Sequence, residues 1–322
     1  MPKRIKTALI GVGHLGRFHA EKLCQIPLAD FVGMIDIEVE KLREIQRYLK
    51  HKYGKEIKIS NNLKEILKEV DAVIVATPTA THYKISKEVL LHGKALFLEK
   101  PIADKLFLAE ELVELAEKKN IPFQVGYIER FQRAVQKLLK KIKQPYFIEA
   151  HRLNSFVERN LDIDVILDLM IHDLDLVLLL NKGKEIEYIH AVGAPLFTTK
   201  PDIVNTRIIF KDGTTCNLTA SRISLTRQRK FRVFEKGTYH SVDTFEKSYT
   251  EIKPKKRERD FLIYEERFTD DDPLERELKA FFSALIKGKE VSPSGKEALP
   301  ALKLAFRIKE EVEKNLNLLK SG

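Results

Sequence analysis

The chain has 322 residues, 57 Lys and Arg against 47 Asp and Glu, a formal charge of +10 and 43% hydrophobic residues, a balance that suits a globular protein of two domains. No apolar run approaches the roughly 18 residues of a membrane span; Val177–Leu180 is short and is flanked by Asp173, Asp175 and Lys182. Cys24 and Cys216 are the only cysteines, which excludes a disulfide framework and a thiolate zinc cluster, and a reducing cytoplasm is the expected compartment.

The first 125 or so residues alternate β-rich runs with amphipathic stretches. Thr7–Ile10 is a predicted strand that ends at the Gly11 turn, and His14–Gln25 is a predicted helix. Phe31–Ile35 follows as a strand running up to Asp36. Val39, Leu42, Ile45 and Leu49 have helical spacing. Ile57–Ile59 is a weak third strand, and Asn62 caps a helix over Leu63–Val70. Ala72–Ala76 is apolar throughout, as in a strand buried on both faces. A helix over His82–His92 stops at Gly93, and Ala95–Leu98 is the next strand. Asp104 opens a helix to Lys119, and Phe123–Val125 is a sixth strand. This order predicts a doubly wound parallel sheet, a Rossmann domain over residues 1–125.

From residue 126 the texture changes. A helix over Phe131–Ile142 leads to the strand Tyr146–Arg152, and Asp164–Leu180 is a second helix. Strand candidates then crowd together: Ile186–Val192, Val204–Phe210, Thr214–Ala220, Lys230–Phe234 and Phe261–Phe268. Lys211-Asp212-Gly213 and Lys236-Gly237 punctuate them as short turns, which favours an open, mostly antiparallel sheet in an α+β domain over residues 126–322. Helices over Pro273–Ile286 and Lys296–Asn315 follow, and the last is expected to return to the first domain. The N-terminus has no apolar segment of a secretory signal. The basic run Lys253–Arg259 reads as a solvated hairpin, because no zinc-finger, RRM or basic-zipper pattern accompanies it; nucleic acid and membrane are not expected partners.

Gly11-Val12-Gly13-His14-Leu15-Gly16 is G-x-G-x-x-G between a strand and a helix. Gly11 permits the turn, Gly13 lets a diphosphate approach the backbone, and Gly16 lets helix and strand pack closely. The backbone of His14 and Leu15 opens the helix, whose N–H groups favour an anion. Asp36 lies twenty residues beyond Gly16, where a carboxylate accepts from adenosine ribose hydroxyls. Ile37 and Glu38 follow with no adjacent Arg, so a 2′-phosphate would meet negative charge and NAD is expected over NADP. His14, His19 and His92 are assigned no side-chain chemistry.

Thr77-Pro78-Thr79-Ala80-Thr81-His82 follows the fourth strand and Glu99-Lys100-Pro101 ends the fifth, both at the edge where such sheets bind ligands. Pro101 biases Lys100 away from helical geometry, so the lysine is expected in an extended turn pointing into the crevice, with a plain surface turn as the alternative. In the second half, Asp168 and His172 are i and i+4 and share a helix face.

G-x-G-x-x-G, then Thr77-Pro78 with His82, then Glu99-Lys100-Pro101, then Asp168 with His172 resembles the Gfo/Idh/MocA oxidoreductase family in order and spacing over nearly the whole chain. The resemblance implies an enzyme that uses NAD to oxidise a CH–OH group. It assigns Thr77, Pro78, His82, Glu99 and Lys100 to the cofactor side. His172 is then the acid/base, Lys100 the hydroxyl ligand or alternative base, and Asp168 the orienter of either. Arg130, beside Glu129 and Phe131, and Arg152 and Arg159 are the substrate-side candidates, with structural ion pairing as the other reading of Arg152 and Arg159. One departure stands out. The family often has Gly-Gly shortly before the Asp, whereas here the stretch is Asp162–Leu167. The segments Gly126–Phe131, His151–Leu153 and Asp164–Asp175 look most like a bacterial branch that oxidises UDP-N-acetylglucosamine at its 3-position to supply diamino sugar for lipid A. Dehydrogenation of another sugar, inositol or amino sugar, or non-catalytic NAD-binding regulation, are the alternatives. The resemblance also implies a homodimer or homotetramer.

Overall fold

The computed structural model describes residues 3–157, 162–255 and 260–320, with side chains to residue 318. Arg159, Asn160 and residues 256–259 of the basic run lie outside the described residues. The chain divides into two compact units, Met1–Tyr127 with Leu274–Leu299, and Ile128–Pro273 with Pro300–Gly322.

The first unit runs β1 (Ile5–Ile10), α1 (His14–Gln25), β2 (Ala29–Ile35), α2 (Val39–Tyr53), β3 (Lys58–Ser60), α3 (Leu63–Leu67), β4 (Ala72–Val75), α4 (Thr79–Leu91), β5 (Ala95–Glu99), α5 (Leu106–Lys118) and β6 (Phe123–Gly126). The strands pair in parallel in the order β3-β2-β1-β4-β5-β6, the doubly wound Rossmann order with its reversal between β1 and β4. Helices on both faces leave the central strands no solvent, and every residue of β4 and β5 is buried. Apolar sequence therefore runs unbroken through β4, whereas β5 ends in a buried carboxylate, Glu99. Phe281 meets Phe97 edge-to-face with centroids 5.6 Å apart. Pro293 accepts from the Val125 N–H at 3.0 Å, which extends the β6 edge. These contacts make residues 274–299 part of this unit.

The second unit starts with a 3₁₀ turn (Ile128–Phe131) and α6 (Arg133–Lys141), where the sequence predicts one helix. Then come β7 (Phe147–Leu153), a π-helical turn (Ile166–Met170), α7 (Ile171–Leu180), β8 (Ile186–Ala194), β9 (Ile203–Phe210), β10 (Thr215–Ser221), β11 (Gln228–Glu235), β12 (Thr238–Asp243), β13 (Ser248–Pro254) and β14 (Phe261–Arg267). Of the last two helices, α8 (Pro273–Lys287) belongs to the first unit from Leu274 on, and α9 (Gly295–Lys320) belongs to the second from Pro300 on. The sheet order is β14-β13-β12-β11-β7-β10-β9-β8, antiparallel except for the β7–β10 pair. Period-two patterning sets its inner face: Val204, Thr206, Ile208 and Phe210 are buried while Asn205 and Arg207 are exposed. α6 packs on β12 and β13, and the π turn on β10. β12 and β13 escape the sequence reading because their inward residues include His240 and Tyr249, which hydrogen-bond to each other at 2.9 Å and do not register as an apolar alternation.

Candidate functional site

Backbone geometry explains the first two chemical roles in the glycine turn. Gly11 has φ +90°, and a Cβ there would lie 2.6 Å from the Ala76 carbonyl oxygen, so both conformation and space demand glycine. A Cβ on Gly16 would lie 2.0 Å from the Gly11 carbonyl oxygen; this is the contact between the first turn of α1 and the end of β1. Gly13 differs, because a Cβ there would meet nothing within 4 Å. The protein itself does not require glycine at 13, and the exposed cradle beside it suits an incoming diphosphate. His14 and Leu15 are exposed at the start of α1. Asp36 Oδ2 accepts from the Val12 N–H at 2.7 Å and Oδ1 from the Glu38 N–H at 3.0 Å. The carboxylate is thereby fixed against the glycine turn at the carboxyl end of β2. These features together fit a dinucleotide.

Two loops at the same sheet edge carry the other residues assigned to the first unit. Thr77 and Pro78 lead into α4, and the Thr81 hydroxyl donates to the Pro78 carbonyl at 2.8 Å. His82 is buried with Nδ1 2.8 Å from the Pro101 carbonyl oxygen and Nε2 2.9 Å from that of Thr77. Burial pushes its pKa down, against those two carbonyls. A neutral ring donates one proton to one of the carbonyls, so both nitrogens face backbone rather than a ligand. With its proton on Nδ1, His82 holds the β5 loop through the Pro101 carbonyl, and its Nε2 edge lies against the β4 loop at Thr77. Lys100 is half-buried between Glu99 and Pro101, and the Lys100–Pro101 peptide is cis.

Glu99 brings in a residue to which sequence reasoning gave no chemistry. Its Oε1 lies 2.7 Å from His19 Nε2, and the His19 side chain has no exposure. The ring packs edge-on against Phe97, with centroids 5.6 Å apart. On the other side the Glu99 carboxylate faces Gly126, where a Cβ would lie 2.9 Å from Oε2. The available signal was spacing: His19 lies three residues beyond Gly16, on the face of α1 that Gly16 turns toward the sheet.

In the second unit, Asp164 caps the π turn, with Oδ1 accepting from the Ile166 and Leu167 N–H groups at 3.0 Å each. From Ile163 to Val177 every residue is buried except Asp168 and His172, which are half-buried. The segment thus offers two polar side chains, four positions apart, and seals the rest. Asp168 sits in the π turn itself, and such turns occur frequently at functional sites.

Two of the substrate-side candidates, Arg152 and Arg130, make ion pairs. Arg152 is 3% exposed. Its Nε and Nη2 donate to the Asp173 carboxylate at 3.0 and 2.8 Å, and its Nη1 to Glu129 at 2.7 Å. All three nitrogens are spent on joining β7, α7 and the 3₁₀ turn. Arg130 donates through Nε and Nη2 to Asp175 at 2.7 and 2.5 Å. Arg152 thus forms a buried fork to two carboxylates, the ion-pairing reading of that arginine, and Arg130 forms a fork to a third. Arg229, opposite Arg152 in the ladder, is pushed down to about 10 by burial and by the charge of Arg152.

Residues 5–127 match the Gfo/Idh/MocA family model, described as an oxidoreductase family with an NAD-binding Rossmann fold. The UDP-N-acetylglucosamine 3-dehydrogenase of Acidithiobacillus ferrooxidans is 37% identical over 240 residues, 74% of this chain and 74% of that protein. Its solved structure superposes with a TM-score of 0.87 at 33% identity, covering 97% of this chain and 98% of that one. The myo-inositol 2-dehydrogenase of Thermotoga maritima is 28% identical over 96% of each chain.

Proposed function

The chain belongs to the Gfo/Idh/MocA oxidoreductase family, and on that premise we propose that it is an NAD-dependent dehydrogenase oxidising UDP-N-acetylglucosamine at C3, in the supply of diamino sugar for lipid A. The observation that carries the chemistry is the pairing of Asp168 and His172 as the two half-buried side chains in the otherwise buried stretch from Ile163 to Val177. Identity to the nucleotide-sugar dehydrogenase supports the substrate. The inositol dehydrogenase match makes a cyclic polyol the second reading.

NAD, when bound, supplies the hydride acceptor. The N–H groups of the Gly11–Gly16 turn hold its diphosphate, and Asp36 accepts from the adenosine ribose hydroxyls. His172 takes the proton of the hydroxyl being oxidised. Asp168 fixes the imidazole that does so. Lys100 donates a hydrogen bond to the hydroxyl oxygen, or serves as the base itself. Arg159 remains the substrate-side arginine of this reading.

The two glycines make a paired test of the cofactor site. Gly13→Ala should melt like the wild type yet bind NADH at least about tenfold more weakly, a loss near 1.4 kcal/mol. Gly16→Ala should unfold first, because its new Cβ overlaps a carbonyl; overpacking of this kind costs on the order of 1–3 kcal/mol. Equal melting temperatures, or unweakened NADH binding by Gly13→Ala, would count against the cradle. In a side-by-side titration NAD should bind more tightly than NADP, since Asp36 and Glu38 meet the 2′ position; the reverse order sinks that assignment.

The protein works as a homodimer or homotetramer in the cytoplasm. The edge strand β14 supports self-association, exposing Phe261, Leu262, Ile263 and Tyr264 in succession. A monomer by light scattering would contradict this. The reaction is tested by adding NAD and UDP-N-acetylglucosamine with a carbonyl trap and following nicotinamide reduction beside a Lys100→Met control. Reduction by the wild type alone supports both the reaction and the substrate. No reduction, with NAD bound, moves the reading to another sugar or to a regulator.

A further inference from the structure

We infer that two buried histidines, His19 and His82, are positioning residues that bracket Lys100 and make its placement depend on the cofactor turn. This rests on the proposed role of Lys100. Its neighbours in the chain are each held by one histidine: Glu99 through its carboxylate to His19 Nε2 at 2.7 Å, and Pro101 through its carbonyl to His82 Nδ1 at 2.8 Å. The two holds come from different elements, α1 and α4. Each also reaches back to a ligand-binding loop. α1 opens on the glycine turn, and His82 Nε2 faces the carbonyl of Thr77 at 2.9 Å.

The chemistry of the pairs makes them specific. A carboxylate as the last residue of a fully buried strand is costly unless it is bonded, and His19 is the side chain that bonds it. An apolar pair would fill the same space more cheaply. What the polar pair adds is direction: the hydrogen bond to the buried imidazole fixes the Glu99 oxygen, and with it the Glu99–Lys100 peptide. Gly126 leaves room for the carboxylate on its far side, where a Cβ would approach Oε2 to 2.9 Å. An anion that settles at the N-terminus of α1 therefore bears on a helix whose second turn is bonded to the residue before Lys100.

The experiment reads amide hydrogen exchange at Glu99–Ala103 with and without NADH, and kcat and KM with the substrate of the wild type. In the wild type NADH should slow exchange in this segment. His19→Ala and His82→Ala should each bind NADH within about threefold of the wild type, lose that slowing, and lower kcat about ten- to a hundredfold with KM little changed. His19→Gln, which returns an N–H near the Nε2 position, should recover most of the slowing and of kcat. Slowing and kcat that survive in both alanine variants overturn the inference. So does exchange that rises throughout the first unit, because that is the mark of a purely structural role. If NADH fails to bind the wild type, it is the dehydrogenase reading that falls. The bracket is then judged without cofactor: each alanine variant should speed exchange at Glu99–Ala103 selectively, and unchanged exchange there overturns it.

Discussion

In a Lys100→Met variant, kcat is expected to fall by roughly two to four powers of ten while NADH affinity stays within about threefold. Methionine keeps the unbranched stem and removes the charge and the three donors, so packing changes little. His172→Ala should show a comparable loss, because a proton with no acceptor keeps the hydroxyl intact. The two effects should not add; in the double variant kcat should resemble that of the worse single variant, as for groups acting on one proton transfer. The pH profile separates the alternatives left open above. If His172 is the base, Lys100→Met retains the acid limb of kcat and His172→Ala loses it; if Lys100 is the base, the assignments exchange. Full turnover by either single variant would remove that residue from the chemistry.

Much of the first unit was legible in the sequence because a parallel sheet covered on both faces writes its strands as apolar runs, as in Ala72–Val75. The glycine turn was legible for a different reason: Gly11 and Gly16 are dictated by backbone contacts that no other residue satisfies. The second unit was less transparent. Asp164–Leu180 is apolar on nearly every side, so periodicity shows a buried helix and cannot show the π turn within it. β12 and β13 bury His240 and Tyr249 at inward positions and so lack the usual alternation. The buried polar pairs were hidden most deeply. Glu99 with His19 are 80 residues apart in the chain and Arg152 with Asp173 are 21, and nothing local in either segment announces the partner. A motif therefore located Glu99 and Arg152, and only the fold shows the partner of each.

Arg152→Leu separates the two uses of that arginine most sharply. If the guanidinium held a substrate anion, the variant would melt normally and show a raised KM. The structure points the other way, since Asp173 and Glu129 are both buried and both depend on it. Removing one partner of a buried ion pair costs about 3–5 kcal/mol, because the remaining charges stay desolvated. Arg229 stands across the ladder and is relieved of Arg152's repulsion in the variant, which favours the lower end of that range. The melting temperature should fall by roughly 2–4 °C per kcal/mol. The loss should also depend on pH with a definite sign. Burial already pushes the Asp173 carboxyl above its ordinary value, against the pull of Arg152. Without that pull the native carboxyl rises further, while the unfolded one stays near 3.9. The native state of the variant then binds a proton that the unfolded state does not. Its stability should therefore rise as pH falls from neutral toward the ordinary carboxylate range, and level off below it. Thermal melts of wild type and variant across that interval measure the effect, and a gap that stays constant with pH would mean Asp173 does not carry the uncompensated charge.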